Sequence, residues 1–479
     1  SKLVRGEIES YARRYCQALE HFHLSFHFHA GDGSVAELHT ALLDLTRPGS
    51  RFVSHLFAVA ENASLRGMED PYLAPLAQCL AEFQPIVRVM YGESPPKGEG
   101  ATGSDGKDSS KNGAGGEVAG GRRPKPQELQ RFLEIIAKQA EDLDRVALFE
   151  GGKGAPGKGV GSAGAASGTP SGSSGGFASS DAQTLEDQLG ALGRGALSVL
   201  QGDDKAPYKQ AEAFLDKAGI IGSLRRPFLA PFDVAYRRGV HDIERAVARH
   251  WQHETLSPIS QILSRFPFNQ GAEREVAPSE LDLLNESSGS FWQDVRTFYA
   301  PVLSEQSGAY RARSEGGHGA SLPKDMLSTL NQLAKLSRTL FDRSGKRQPL
   351  RFSVRSVPGG ITTPDNSAPP SAAFLQIGKV SVYGFNQRVT AEPLSIEWWN
   401  QGIALVGSER TAARSGRKHT ETLEVADSAW SLFRLLQKTT LDQEGVSTWR
   451  ILSDAGQGET VIRFVLSPDP WAPFRIRLP

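Results

Sequence analysis

The sequence predicts an α+β multidomain protein, with a large all-α helical region followed by a small C-terminal antiparallel β-sandwich domain. In residues 129–136 and 211–218 the apolar residues fall at i, i+3, i+4 and i+7, which places them on one face of a helix. From about residue 350 the spacing changes, because apolar and polar residues alternate in residues 350–355 and 462–466. A period of two is typical of strands with one buried face, so a β domain is expected after the helices.

A chain of 479 residues is too long for one hydrophobic core, so we divide it by composition and periodicity. Two segments are so rich in Gly that they cannot bury enough apolar surface to become ordered, and we predict that they are flexible linkers. The predicted segments are a helical subdomain over 1–94, a linker over 95–126, a helix over 127–150, a linker over 151–181, helical subdomains over 182–270 and 271–346, and the β-sandwich domain over 347–479.

The charge balance argues against a general role in binding nucleic acid, since 54 basic residues match 54 acidic residues and the formal net charge is zero. No run approaches the ~20 apolar residues that a membrane-spanning helix needs. The first residues are mostly polar and do not resemble a signal peptide. We therefore expect a soluble polypeptide, or a soluble piece cut from a longer one.

Cysteine usage leaves the compartment open. Cys16 and Cys79 are the only cysteines, too few for a disulfide framework or for a four-cysteine zinc site. Each lies in a helix-like segment. The favoured interpretation is two buried, unpaired thiols, and the alternative is that they pair in an oxidising compartment.

Two short matches to catalytic motifs lack the context that their chemistry requires. Residues 152–158 match most of a phosphate-binding loop, but Gly159 stands where a Ser or Thr hydroxyl would bind Mg²⁺. Residues 172–176 match the Gly-x-Ser-x-Gly pattern of a hydrolase nucleophile, yet no strand precedes them and no helix follows. Both lie in the predicted linker over 151–181, so we expect no nucleotide, no cofactor and no catalytic residue.

A histidine-rich run at residues 21–29 is the candidate for metal binding. In an extended chain its four histidines share one face, and its three phenylalanines with Leu24 share the other. Histidines two apart on a strand can ligate Zn²⁺, so a metal- or glycan-binding module is one alternative function. The favoured interpretation is an amphipathic strand without a metal.

The β domain carries the candidates for binding another protein. If Trp398 points into the core, the alternation turns Trp399 outward, and exposed tryptophans are frequent at interfaces. The alternative for Trp399 is burial under a neighbouring loop. Arg414 and Arg417 lie between two strand-like runs, where a charged hairpin tip is favoured and partner or lipid-headgroup docking is the alternative. Trp399, Arg414 and Arg417 are thus the candidate partner-binding residues.

Several short motifs follow one another in an order that a known family shares. The motifs are residues 43–50, residues 61–65, Arg265-Phe266-Pro267-Phe268, residues 291–303 and residues 429–436. They resemble conserved blocks of the TssM/IcmF family of type VI secretion systems. Residues 265–268 are similar to its Arg-Tyr-Pro-Phe block, with Phe266 for tyrosine, and residues 429–436 resemble the Trp-Ala-Leu-Phe-Arg-Leu block of its C-terminal domain. The two Gly-rich insertions depart from the family's pattern.

The resemblance implies the periplasmic region of a TssM protein, which is a structural scaffold and not an enzyme. Full-length members cross the inner membrane and carry a cytoplasmic NTPase-like domain, neither of which is found in this sequence. The implied partners are the outer-membrane lipoprotein TssJ, gripped by the C-terminal β domain, the inner-membrane protein TssL, and further copies in a ring-like core. No nucleic acid or small-molecule substrate is implied. The rival function is a periplasmic hydrolase of unfamiliar type, which would need a cleft with perturbed carboxylates or histidines.

Overall fold

The structure is a computed structural model of the chain. It describes residues 2–31, 34–64, 71–92, 127–150, 183–357, 361–362, 372–385, 390–411, 418–424, 428–441, 446–452 and 459–476. The chain divides into two compact units: unit 1 comprises residues 1–170, 186–246 and 313–320, and unit 2 comprises residues 171–185, 247–312 and 321–479. The predicted linkers over 95–126 and 151–181 lie outside the described residues, and the predicted domain boundaries stay predictions.

The described α-helices are α1 Lys2–Leu24, α2 Val35–Thr46, α3 Arg51–Asn62, α4 Ala74–Leu80, α5 Gln84–Tyr91, α6 Gln127–Glu150, α7 Ala191–Leu200, α8 Pro207–Ala218, α9 Arg226–His250, α10 Leu256–Leu263, α11 Ser290–Phe298, α12 Met326–Leu340 and α13 Ser431–Gln437. The described strands are β1 Leu303–Gln306, β2 Ala309–Ala312, β3 Ser314–Glu315, β4 His318–Gly319, β5 Leu350–Val357, β6 Ile361–Thr362, β7 Ala372–Ile377, β8 Val380–Phe385, β9 Glu392–Ile396, β10 Ala404–Thr411, β11 Lys418–Glu424, β12 Thr440–Leu441, β13 Val446–Leu452 and β14 Glu459–Ser467.

Aromatic packing builds the core of unit 1 around Phe132 of α6. The centroid of its ring lies 6.0 Å from that of Phe52 on α3 and 5.3 Å from that of Phe228 on α9. All three side chains are fully buried, and edge-on ring pairs of this kind add to the stabilisation from burial alone. The apolar residues at helical spacing in 129–136 are buried as well, so the helix predicted there is confirmed.

Capping residues explain where two helices of unit 1 begin. The hydroxyl of Ser34 accepts a hydrogen bond from the backbone N–H of Glu37, which starts α2, and Ser50 does the same for Val53 at the start of α3. Gly219 ends α8 in the left-handed conformation at φ 73°, where a Cβ would be strained.

Cys16 of α1 and Cys79 of α4 form a disulfide, so the expectation of two unpaired thiols is wrong. Their Cα atoms lie 6.3 Å apart, within the range that a disulfide spans, because α1 and α4 pack side by side in unit 1. The bond closes a loop over a sequence separation of 63 residues. The spacing of two cysteines in a sequence does not indicate that their helices are neighbours.

The strand predicted over residues 21–29 is wrong in its first half. Helix α1 continues through Leu24 and ends with His21 exposed and His23 fully buried, since residues two apart on a helix lie on opposite sides of it. The residues after the helix are not part of a strand; both phenylalanines of 26–29 pack against the core and both histidines are exposed. The four histidines therefore do not share a face.

The C-terminal residues of unit 2 form two antiparallel sheets, one with the strand order β11-β10-β7-β8 and one with the order β12-β13-β14-β5-β9, to which β6 adds beside β14. Along β5 the residues Leu350, Phe352 and Val354 are buried, whereas Arg351 and Arg355 are exposed. The alternation predicted from sequence is thus confirmed, and with it the α+β class. That the two sheets face one another as a sandwich stays a prediction.

Candidate docking surface of the C-terminal β domain

The tryptophan pair after β9 has one buried and one partly exposed member. Trp398 is fully buried, and its indole N–H donates to the backbone oxygen of Gln348 at 3.1 Å. Trp399 is half-buried, with its ring edge-on to that of Trp398 at a centroid distance of 5.4 Å. The predicted burial of Trp398 is confirmed, whereas Trp399 falls between the two alternatives, since it is neither buried nor fully exposed.

Helix α13 is anchored by indole hydrogen bonds to a segment far away in sequence. Trp430, directly before α13, is fully buried and donates to the backbone oxygen of Val276 at 2.6 Å. Trp471, near the end of the described chain, donates to the backbone oxygen of Pro267 at 3.0 Å. Both acceptors belong to the segment 265–276, which therefore lies against the β domain within unit 2.

Arg434 of α13 ties the same two segments together by charge. Its guanidinium carbon lies 3.7 Å from the ring centroid of Phe266, its Nε donates to the Glu275 carboxylate at 2.8 Å, and an Nη donates to the backbone oxygen of Glu273 at 2.9 Å. A guanidinium that stacks on a ring and fills its hydrogen bonds is a use of arginine that lysine cannot replace.

We call the contacts between residues 429–437 and 265–276 the α13 joint. It brings together two of the sequence motifs on which the family resemblance depends, the Arg265-Phe266-Pro267-Phe268 block and the block at 429–436. Sequence reasoning identified both motifs but not that they contact one another. The joint fixes α13 against the segment 265–276 and thereby supports the sheet residues that pack on α13.

An ion pair holds the start of the 265–276 segment. The Arg265 guanidinium donates to both oxygens of the Glu280 carboxylate, at 2.8 Å and 3.0 Å. These hydrogen bonds, opposed by partial burial, keep the pKa of Glu280 below its ordinary value. Arg265 and Glu280 therefore remain an ion pair at neutral pH.

Of the three candidate partner-binding residues, the structure describes Trp399. Arg414 and Arg417 lie outside the described residues. The loop 397–403 that carries Trp399 meets the β7–β8 turn, because Gly378 N–H donates to the Ile403 oxygen at 2.7 Å. Ile403 and Val380, the first residue of β8, are 41% and 42% exposed, so apolar surface is presented at this end of the β domain.

His23 is a buried histidine of unit 1, and among the described residues it belongs to no group of side chains that could hold a metal ion. Its Nε2 donates to the backbone oxygen of Leu224 at 3.0 Å, and its Nδ1 is buried without a hydrogen-bond partner among the described residues. His55 stacks on it at a centroid distance of 5.7 Å, and Glu20 is the nearby acidic group. Burial lowers the pKa of His23 to about 4, so the ring is neutral at physiological pH.

The stability of unit 1 should therefore depend on His23 in mild acid. Because the folded pKa of about 4 lies below the ordinary value of 6.5, the unfolded chain binds a proton that the folded chain does not as pH falls between these values. We expect the free energy of unfolding of unit 1 to fall by about 3 kcal/mol between pH 6.5 and pH 4 because of His23. His23→Gln should remove that part of the loss, whereas His27→Gln, at an exposed position, should not. Urea unfolding followed by far-UV circular dichroism measures the free energy of unfolding at each pH. If this free energy falls equally with pH in both variants, His23 is not the group responsible.

A second buried polar network lies at a π-helical turn, Trp251–Thr255, in unit 2. His250 Nε2 bonds to the Asp294 carboxylate at 2.8 Å, whose other oxygen accepts from the Thr255 hydroxyl at 2.8 Å. The Thr255 hydroxyl also bonds to the hydroxyl of Tyr299 at 2.7 Å, and the His250 ring stacks on Phe298 at 3.6 Å.

This network resembles a hydrolase dyad only in composition. A nucleophile would have to meet the second nitrogen of His250, but within the described chain His250 Nδ1 is buried and has no hydrogen-bond partner. The one hydroxyl beside the carboxylate, that of Thr255, is itself fully buried. The network therefore closes the π-helical turn through the hydrogen bonds that join Asp294, Thr255 and Tyr299.

The other chemical candidates give no site in the part of the chain that the structure describes. Residues 152–158 and 172–176 lie outside it. In the described ranges no three His, Cys, Asp or Glu side chains are grouped so that they could hold a metal ion. None of the described helices is both long and apolar enough to cross a membrane.

Comparison of the sequence with protein families and with curated proteins finds no match. Comparison of the fold with solved structures finds matches. A chain of a type VI secretion system membrane core complex aligns with 98% of this chain and 82% of its own length, at a TM-score of 0.56 and 14% identity. A chain of a type VI membrane complex aligns with 98% of this chain and 84% of its own length, at a TM-score of 0.57 and 15% identity.

A third structure, the TssM C-terminal domain of a type VI secretion system from EAEC, covers 49% of this chain at a TM-score of 0.35 and 15% identity, too low to support a comparison of folds. The two larger matches show that this chain has the fold of a type VI membrane core complex component. A fold of this kind is what the resemblance of the sequence motifs implies.

Proposed function

We propose that this chain is the periplasmic region of a TssM protein, and that it works as a scaffold of the type VI secretion membrane core complex. The observation that carries the proposal is the fold, which aligns over 98% of the chain with components of such complexes. The sequence motifs are further support, because two of them meet in the α13 joint, where their side chains pack and hydrogen-bond together.

The disulfide supports a periplasmic location. Disulfides form and persist in oxidising environments such as the bacterial periplasm and are rare in the cytosol. A Cys16–Cys79 bond joining α1 and α4 fits a periplasmic protein. The proposed setting is therefore the periplasm, in a protein anchored in the inner membrane.

The proposed mode of action is binding and not catalysis. The outer-membrane lipoprotein TssJ is the proposed partner of the C-terminal β domain, the inner-membrane protein TssL is the second partner, and further copies of the chain complete the core. Trp399 is the proposed anchor, and Arg414 and Arg417 are the proposed charged part of the same contact. Half-burial of Trp399 supports this role, because a ring held on one side by Trp398 loses little freedom on binding.

Isolation of the complex tests the proposal. Tagged full-length protein, purified from cells with the neighbouring secretion proteins intact, should bring down TssJ and TssL in detergent. The same preparation from cells without the TssJ protein should lose only that partner. Recovery of neither protein would contradict the proposed function.

Trp399→Ala should weaken TssJ binding by roughly 2 kcal/mol, about 30-fold in Kd, if the ring is a central anchor. Titration calorimetry with soluble, unlipidated TssJ measures the change. Tyr11→Ala is the matched control, since Tyr11 is an aromatic residue that is 60% exposed on unit 1 and should leave binding unchanged. An unchanged affinity in Trp399→Ala would remove the residue from the interface.

A further inference from the structure

The sheet that contains β5, β13 and β14 has an outward face opposite the face that is buried. Strand register places Arg351 and Arg355 of β5, Arg463 of β14 and Arg450 of β13 together on this outward face, away from the fully buried Trp449. The side chains of all four arginines are exposed. The outward face is therefore open at these positions, and it carries positive charge.

Three of these arginines form a diagonal across adjacent strands. Arg463 lies opposite Thr448 of β13 and opposite Val357 of β5. Arg450 and Arg355 are each displaced from it by two residues, in opposite directions along β14. Diagonal neighbours of this kind are about 7–8 Å apart. We call Arg450, Arg463 and Arg355 the arginine row, since they present three guanidinium groups at a regular spacing.

No carboxylate lies within the arginine row. The outward-facing residues in 351–357, 446–450 and 461–467 are arginine, valine, serine and threonine, without an acidic residue or a lysine. Along β14 the first acidic residue on this face is Glu459, four positions before Arg463. The row is therefore a local excess of positive charge on a chain whose formal net charge is zero.

Two members of the row also differ from other arginines of unit 2 in their pairing. Arg355 and Arg463 form no ion pair with any other residue that the structure describes. Other arginines of the unit each pair with a carboxylate, namely Arg265, Arg338, Arg347, Arg434 and Arg475. Like charges on neighbouring strands repel one another. An anionic partner on the outward face would relieve that repulsion.

The composition of the face indicates which kind of anionic partner fits. Protein interfaces are rich in arginine and poor in lysine, and a guanidinium can bind a carboxylate through two parallel hydrogen bonds. A membrane surface is less suited, because the outward-facing residues in 351–357, 446–450 and 461–467 include no aromatic side chain and no leucine to insert among lipids. The face therefore favours an acidic protein segment.

An extended chain has the right spacing for the arginine row. Its alternate side chains project to one side and are about 6.6 Å apart, two steps of a strand. This distance is close to the diagonal step of about 7–8 Å, and flexible arginine side chains make up the difference. A segment with a carboxylate at every second residue would thus place one carboxylate at each arginine of the row.

We infer that the outward face of this sheet is a docking surface for an acidic, extended segment of another protein, which lies along the arginine row and pairs its alternate carboxylates with the three guanidinium groups. The inference goes beyond the proposed function, since it depends neither on Trp399 nor on the contact with TssJ. The strands hold the arginines at fixed positions, so the spacing of the carboxylates determines which segments bind.

Fluorescence anisotropy with the full 479-residue chain and labelled peptides tests the inference. The probe is a peptide of alternating Glu and Ser, and the control peptide has the same composition with its glutamates contiguous. The alternating peptide should bind more tightly than the control peptide. Its affinity should fall as salt is added, because the contact is between exposed charges.

The double substitution Arg355→Glu with Arg463→Glu should raise the Kd of the alternating peptide at least about tenfold, since it replaces two charge-assisted contacts by repulsion. Arg311→Glu with Arg343→Glu is the matched control. Both of these arginines are exposed in unit 2 outside the sheet, and the net charge changes equally. Tryptophan fluorescence checks that both variants are folded.

Equal binding of the two peptides, an unchanged Kd in Arg355→Glu with Arg463→Glu, or no binding of the alternating peptide would overturn the inference. Two further results would assign the face to a different occupant and also overturn it. One is arginine-dependent binding to anionic phospholipid vesicles without binding of the alternating peptide. The other is self-association of the wild-type chain that the double substitution abolishes. None of these results bears on the TssJ contact, so the proposed function is tested separately.

Discussion

Replacing Trp430 by alanine should lower the free energy of unfolding of unit 2 by about 3–5 kcal/mol. The indole is fully buried, stacks on Trp398 at a centroid distance of 6.0 Å and lies edge-on to Phe474 at 5.4 Å. Its removal leaves a cavity at the α13 joint and leaves the backbone oxygen of Val276 without its hydrogen bond.

The tryptophans make this loss measurable in unit 2 alone. All seven tryptophans of the chain lie in the ranges that form unit 2, so fluorescence-detected urea unfolding does not report on unit 1. Trp399→Ala is the control, since the loss of a half-buried ring with an edge-on contact to Trp398 should lower the free energy of unfolding by only about 1 kcal/mol. Equal unfolding midpoints for the two variants would show that the α13 joint does not stabilise the β domain.

Removal of the disulfide should destabilise unit 1 by about 4 kcal/mol, the chain-entropy effect of opening a loop of this length. The change is the double substitution Cys16→Ala with Cys79→Ala, or reduction of the wild-type protein, because the bond joins α1 to α4 over a sequence separation of 63 residues. Far-UV circular dichroism should show an earlier helical transition on urea unfolding.

The same experiment contains its own control. The tryptophan fluorescence transition should not move, because the disulfide lies in unit 1 and the tryptophans lie in unit 2. If reduction leaves the helical transition where it was, or if thiol titration of the oxidised protein finds two free cysteines, the pairing is wrong.

The sequence was sufficient to predict the buried faces of two elements. The stripe in residues 129–136 predicted the buried face of α6, and the alternation in residues 350–355 predicted the buried side of β5. Both follow from local geometry, since helical and strand periods decide which side chains share a face. The histidine run misled for the same reason, because an alternating pattern of nine residues fits a strand, but α1 extends into it through Leu24.

Contacts between distant residues could not be predicted in this way. Arg434 and Glu275 are 159 positions apart, and His23 and Leu224 are 201 apart. The signal that could have suggested the α13 joint was the presence of an arginine and buried aromatic residues in two separate family motifs. The same limit applied to the docking surface, since Trp399 was identified by alternation, whereas the contact of its loop with the β7–β8 turn emerged only from the structure.

Hydrogen–deuterium exchange of the full chain, alone and with soluble TssJ, tests most directly whether the terminal β region is where the protein is held. We predict slower exchange on binding in peptides that cover the loop 397–403 and the β7–β8 turn beside it, with exchange in unit 1 unchanged. Protection confined to unit 1, or no change at micromolar TssJ, would contradict the account.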